Sequence, residues 1–141
     1  MVNTLSDPTG TFIDGPCGLA INLGFFESQI FVSNLLNGSV WRLDVGVDGK
    51  RGLTIENAVR VGNGYGSTVI LPGIANGPAG LAYDPRHDIL YVASEVDNEI
   101  FAIDHASRIS VISLLEARWS ITTTFTAMGP PACCCLATVT C

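Results

Sequence analysis

Short apolar runs separated by turn residues recur along the chain, and two stretches about 60 residues apart say the same thing. Gly15-Pro16-Cys17-Gly18-Leu19-Ala20-Ile21-Asn22 returns as Gly77-Pro78-Ala79-Gly80-Leu81-Ala82-Tyr83-Asp84. Ile30-Phe31-Val32-Ser33 through Val40-Trp41-Arg42-Leu43-Asp44 returns as Leu90-Tyr91-Val92-Ala93 through Ile100-Phe101-Ala102-Ile103-Asp104. In the second copy the runs 80–84, 89–94 and 99–104 predict strands, with turns at Pro85 to Asp88 and at Asp97-Asn98. Tight turns between short strands make an antiparallel meander. Alternation sends Val40 and Arg42 to one face and Trp41 and Leu43 to the other. The second strands, Gln29 to Ser33 and Leu90 to Ala93, are apolar on both faces, which suits a sheet covered on each side. A fourth strand per unit is expected at Ile109 to Leu115 in the second copy. In the first, Leu53 to Val61 or Thr68 to Leu71 would supply it.

One such unit cannot bury its own apolar face and must stack on copies of itself. The signature Gly-Pro-x-Gly-Leu-Ala-x-Asp, an aliphatic/aromatic-Val-Ala/Ser strand and a third strand ending in Asp resembles the NHL repeat, over Gly15 to Asp104. The Arg common before the third strand in that family is replaced by Ser39 and Glu99. The resemblance implies an all-β fold of antiparallel four-stranded β-propeller blades. About two blades are expected within residues 1–117, with motifs near 15–44 and 77–104. The spacing between copies exceeds the roughly 40–45 residues of ordinary blades. The surplus predicts a long decorated loop or an added hairpin over 45–76. It further implies a six-bladed, extracytoplasmic parent with a signal peptide and more blades.

The 141 residues, 48% apolar, suffice for one core. A net charge of -6 with seven Lys plus Arg provides no basic stripe, so neither nucleic acid nor an anionic membrane surface is expected as a partner. Met1 to Leu5 lack the basic and apolar regions of an export signal, and no run is long enough to span a membrane. Asn37-Gly38-Ser39 fits a glycosylation triplet, yet Asn-Gly is foremost a hairpin turn.

Candidate chemistry is thin. Gly62 to Gly66 lacks the Lys-Ser/Thr of a phosphate cradle, and His87 and His105, the two histidines, fall in turns. Asp44, Asp84 and Asp104 recur at strand ends, where carboxylates accepting turn N–H groups are expected. Phe31 and Tyr91, like Trp41 and Phe101, are repeat equivalents expected in a core between units. Propeller lactonases of the gluconolactonase type hold a divalent metal with oxygen ligands in Pro-Asn-Gly contexts. Pro16-Cys17-Gly18 and Pro78-Ala79-Gly80 offer no hard oxygen there, so no catalytic, cofactor or metal residue is assigned. Cys17 reads as a small buried thiol. The residues singled out are repeat positions with structural roles: Gly15, Pro16, Gly18, Asp44, Gly77, Pro78, Gly80, Asp84 and Asp104.

From 118 to 141 the sequence follows neither the repeat nor any turn logic, and Cys133, Cys134, Cys135 and Cys141 have the spacing of neither a disulfide framework nor a metal site. Suitable synonymous codons for Thr122 to Leu136, read in a shifted frame, restore a Gly-Pro-Pro-Gly-Leu motif near Gly129. A frameshifted tail is the expectation, with a natural disordered Thr/Cys tail as the alternative. The functional expectation is a non-catalytic scaffold presenting loops to a protein or glycan. The alternatives are a piece of a propeller enzyme with its active site in other blades, or a truncated product without a function of its own. Either way, the isolated chain is expected to self-associate through open blade edges.

Overall fold

The computed structural model describes residues 4–24, 28–48, 52–71, 74–110 and 120–121, and among these it is all-β, with every paired strand antiparallel. The first sheet is a four-stranded meander of β1 (Pro16–Leu23), β2 (Ser28–Asn34), β3 (Ser39–Asp48) and β4 (Gly52–Asn63). A two-stranded hairpin follows, β5 (Thr68–Leu71) and β6 (Ile74–Asn76). The second sheet orders β7 (Pro78–Asp84), β8 (Ile89–Ser94) and β9 (Glu99–Asp104) in sequence, with the short β10 (Ser120–Ile121) paired outside β9.

Both repeat copies fold alike. Each first strand carries a bulge after its proline, between Pro16 and Leu19 and between Pro78 and Gly80. In each, the residue after the second strand donates its N–H to the first glycine of the motif: Leu35 to Gly15 O at 2.9 Å and Glu95 to Gly77 O at 3.1 Å. The hairpins between second and third strands need a left-handed residue at the same place, supplied by Gly38 (φ 58°) and by Asn98 (φ 54°). Asn37-Gly38 is thus a turn, as its composition predicts.

The region from 45 to 76 is less a loop than a strand and a hairpin. Of the two options for the fourth strand of the first unit, Leu53 to Val61 lies within β4, whereas Thr68 to Leu71 forms β5. In the second unit, Ile109 packs on the core without joining a strand, and the rest of the expected strand, 111–115, lies outside the described residues. The four cysteines from Cys133 onward and the Gly129 motif also lie outside them, as does all of 118–141 except Ser120–Ile121.

The sheets pack face to face. Ala20, Phe31, Val40, Val59 and Val61 of the first meet Leu90, Val92, Phe101 and Ile103 of the second, with Leu81 and Tyr83 at the margin. Fully buried Phe31, Val40, Leu90 and Val92 each contribute on the order of 1.5–3 kcal/mol of burial free energy. The opposite face of the first sheet, Val32, Leu43 and Val45, is covered by Leu5, Phe12 and Ile13 of the N-terminal segment. That segment is tied by Asp7, whose carboxylate accepts the N–H groups of Thr9, Phe12 and Ile13.

Strand β2 is buried on both faces, as its sequence predicts, but β8 is not: its residues alternate between buried and exposed. The reason is positional. Among the described residues, the first sheet has neighbours on both sides, whereas the second has the first sheet on one side only.

Candidate functional site

The two Gly-Pro-x-Gly segments are brought together where the sheets meet, through the edge strands β1 and β7. A β-carbon on Gly18 would lie 2.5 Å from the Ala79 carbonyl oxygen and 2.7 Å from Ser33 Oγ. Only glycine permits that approach, and the Gly18 N–H uses it to donate to Ser33 Oγ at 2.9 Å. Gly77 is buried, with Leu35 O 3.1 Å from where its β-carbon would be. Gly15 has φ 66° and backs onto Leu36. Pro16 is exposed and Pro78 fully buried, while Gly18 is buried and Gly80 exposed. Equivalent positions differ because each face of the repeat finds a different neighbour in each copy.

The three recurring aspartates are not brought to one point. Asp84 accepts from Arg86 N–H at 2.9 Å and lies 2.6 Å from His87 Nδ1. The His87 hydrogen bond, then that of Arg86, hold its carboxyl below the usual range. Asp104 accepts the His105 N–H at 3.1 Å, and both histidines are exposed. Asp44 departs from the expected turn role because β3 continues to Asp48, so no turn follows it. Instead its carboxylate takes Arg42 at 2.9 and 3.3 Å, Gln29 at 3.1 Å and Asn57 at 3.0 Å. The buried Arg42 guanidinium also donates to Ala106 O at 3.2 Å and Ser107 O at 2.7 Å, a clamp from the first sheet onto the turn after β9.

Cys17 requires a correction: the thiol is exposed rather than buried. It lines an apolar cleft of about 240 Å³ with Leu5, Ile13, Leu19, Ile30 and Val32, on the side of β1 that the second sheet does not cover. Among the described residues no polar side chains converge in this cleft. Among the described residues no group of three His, Cys, Asp or Glu could share a metal ion. Nor is any helix long and apolar enough to cross a membrane.

One feature escaped the reading of the sequence. Tyr65, in the glycine-rich run, inserts between the sheets edge-on to Phe101 at 5.0 Å. Its hydroxyl is buried without a hydrogen-bond partner among the described residues, and burial, then the Asp97 carboxylate, push its pKa well above the ordinary phenol value. The added hairpin that the surplus length allowed is β5–β6, where Val69, Ile70, Leu71 and Ile74 are each at least 50% exposed. Comparison with known protein families, with curated proteins and with solved structures gives no match to this chain.

Proposed function

We propose that the chain is a piece of an NHL-like β-propeller, its two sheets acting as successive blades, and that it works as a non-catalytic scaffold presenting the β5–β6 hairpin to a protein partner. The propeller reading is supported by two copies of one meander, with matched bulges and turns, stacked face to face through a shared apolar core. The binding reading rests on one observation: a hairpin with exposed Val69, Ile70, Leu71 and Ile74 projecting from an ordered body. Contiguous exposed aliphatic side chains suit a protein surface. A glycan would need polar donors and acceptors beside them, which this hairpin does not carry on its described strands, apart from Thr68 and Asn76 at the ends.

The test places a photo-reactive side chain at Ile70 of the whole chain in its native cell. One predominant cross-linked protein is expected, lost when Val69→Asp and Ile74→Asp are added. Labelling unchanged by that double substitution would overturn the binding reading, as would divalent-metal-dependent lactone hydrolysis by the purified chain.

A further inference from the structure

The two copies of the repeat use their faces in a fixed order, and that order leaves one face unmatched. In the first sheet, the face bearing Ala20, Phe31 and Val40 is covered by the second sheet. In the second sheet the equivalent face bears Ala82, Tyr91 and Ile100, which share one side by register. It is open: Phe31 and Val40 are 0% exposed, whereas Tyr91 is 37% and Ile100 51% exposed. What covers the first copy of this face is the opposite face of the next repeat, through Leu81 and Tyr83 of β7, the Tyr83 ring lying 5.1 Å from Phe31. The residues equivalent to Leu81 and Tyr83 in the first sheet are Leu19 and Ile21, and these too are open, at 58% and 51% exposed.

The geometry points to head-to-tail self-association: the Tyr91–Ile100 face of one copy receives the Leu19–Ile21 strand of a second copy, repeating between chains the part of the contact that β7 makes within one. The occupant is specified by the chain itself, because Leu19 and Ile21 are the equivalents of Leu81 and Tyr83, whereas the equivalents of Leu90, Val92, Phe101 and Ile103, namely Ile30, Val32, Trp41 and Leu43, are already held in a cluster with the N-terminal segment. Ile21 of the second copy takes the place of Tyr83, and Tyr91 that of Phe31. The N-terminal segment, seated on Val32 and Leu43 through Leu5, Phe12 and Ile13, leaves the β1 side of that face uncovered. Such a contact joins two different surfaces, so a pair of copies keeps one unused surface of each kind, and the assembly extends or closes into a ring. This differs from pairing at strand edges, and it does not depend on what the hairpin binds.

Sedimentation velocity of the whole chain, over a range of concentrations, tests it with Tyr91→Lys and Ile21→Lys. Both positions are exposed, so both variants keep the wild-type circular dichroism. Wild type is expected to associate beyond a dimer, and each variant alone to bind at least about tenfold more weakly, because either lysine places a charge in the apolar contact. An equimolar mixture of the two is expected to recover a discrete dimer, since each still carries the surface the other has lost. Association of Ile21→Lys alone would mean symmetric pairing of the Tyr91 face and would overturn the inference. It would equally be overturned by a monomeric wild type, by two variants that associate like wild type, or by loss of association in Val69→Asp/Ile74→Asp instead.

Discussion

The same motif glycine stands at Gly18 and Gly80, and a methyl group added at each should have opposite consequences. At Gly18 the new carbon would sit 2.5 Å from a backbone oxygen of the neighbouring sheet, Ala79 O, and 2.7 Å from Ser33 Oγ. Neither Ala79 nor Ser33 can yield without moving strand β7 or giving up the hydrogen bond from the Gly18 N–H. Overpacking of this kind costs about 1–3 kcal/mol. At Gly80 the one close neighbour among the described residues is Ala93 Cβ, at 3.2 Å on the open face. That contact is offset by the roughly 0.5–1 kcal/mol recovered when a strand glycine becomes alanine. Gly18→Ala should therefore lower the stability of the monomer by about 1–3 kcal/mol, and Gly80→Ala should leave it within about 0.5 kcal/mol of wild type. Urea unfolding followed by tryptophan fluorescence, at concentrations where the chain is monomeric, measures both. Equal losses at the two positions would refute the argument that only the first sheet has its glycine pressed against a neighbour. Under associating conditions the ranking should change, because Gly80 then meets the incoming strand as Gly18 meets β7.

Two further outcomes follow from the polar contacts. Arg42→Met removes the clamp between sheets and leaves Asp44 with Gln29 and Asn57 alone, so a loss of about 3–5 kcal/mol is expected. Adding Asp44→Asn should recover part of it, and a loss under about 1 kcal/mol in the single variant would contradict the clamp. Acid should loosen the N-terminal segment: burial alone would raise the Asp7 pKa, but hydrogen bonds from the Thr9 hydroxyl and from the N–H groups of Phe12, Ile13 and Thr9 lower it from 3.8 to about 2. A folded-state pKa below the unfolded value means stability present above about pH 4 and lost as pH falls toward 2. Asp88 adds to the same trend, since bonds from Ser107 and Tyr83 and the nearby Arg108 outweigh its burial. Asp7→Asn should flatten the acid limb of the denaturation midpoint plotted against pH, and an unchanged limb would contradict this.

Much of the fold was legible because the signal was periodic. The repeat, the turns at Asn37-Gly38 and Asp97-Asn98, and the alternation of Val40 and Arg42 against Trp41 and Leu43 are local patterns that tertiary packing did not override. What could not be read was which copy of a face is covered. Phe31 and Tyr91 are equivalent in sequence, yet one is sealed and the other open, because burial depends on neighbours that the repeat does not encode locally. Cys17 was misplaced for the same reason: its burial would have required a cover over the outer side of β1. Asp44 looked like a strand-end acceptor only because the extension of β3 to Asp48, through Gly46, has no counterpart in the second copy.

The most direct measurement of the stacked, one-sided arrangement is tyrosine nitration of the dilute chain, read by peptide mass spectrometry. Three tyrosines sample three environments: Tyr91 on the open face, Tyr83 half-buried and donating to Asp88 at 2.9 Å, and Tyr65 sealed between the sheets. The account predicts Tyr91 modified first, Tyr83 slowly and Tyr65 last, with Tyr91 becoming protected as concentration rises. Tyr65 reacting as fast as Tyr91 would mean the two sheets do not share a core, and the account would be wrong.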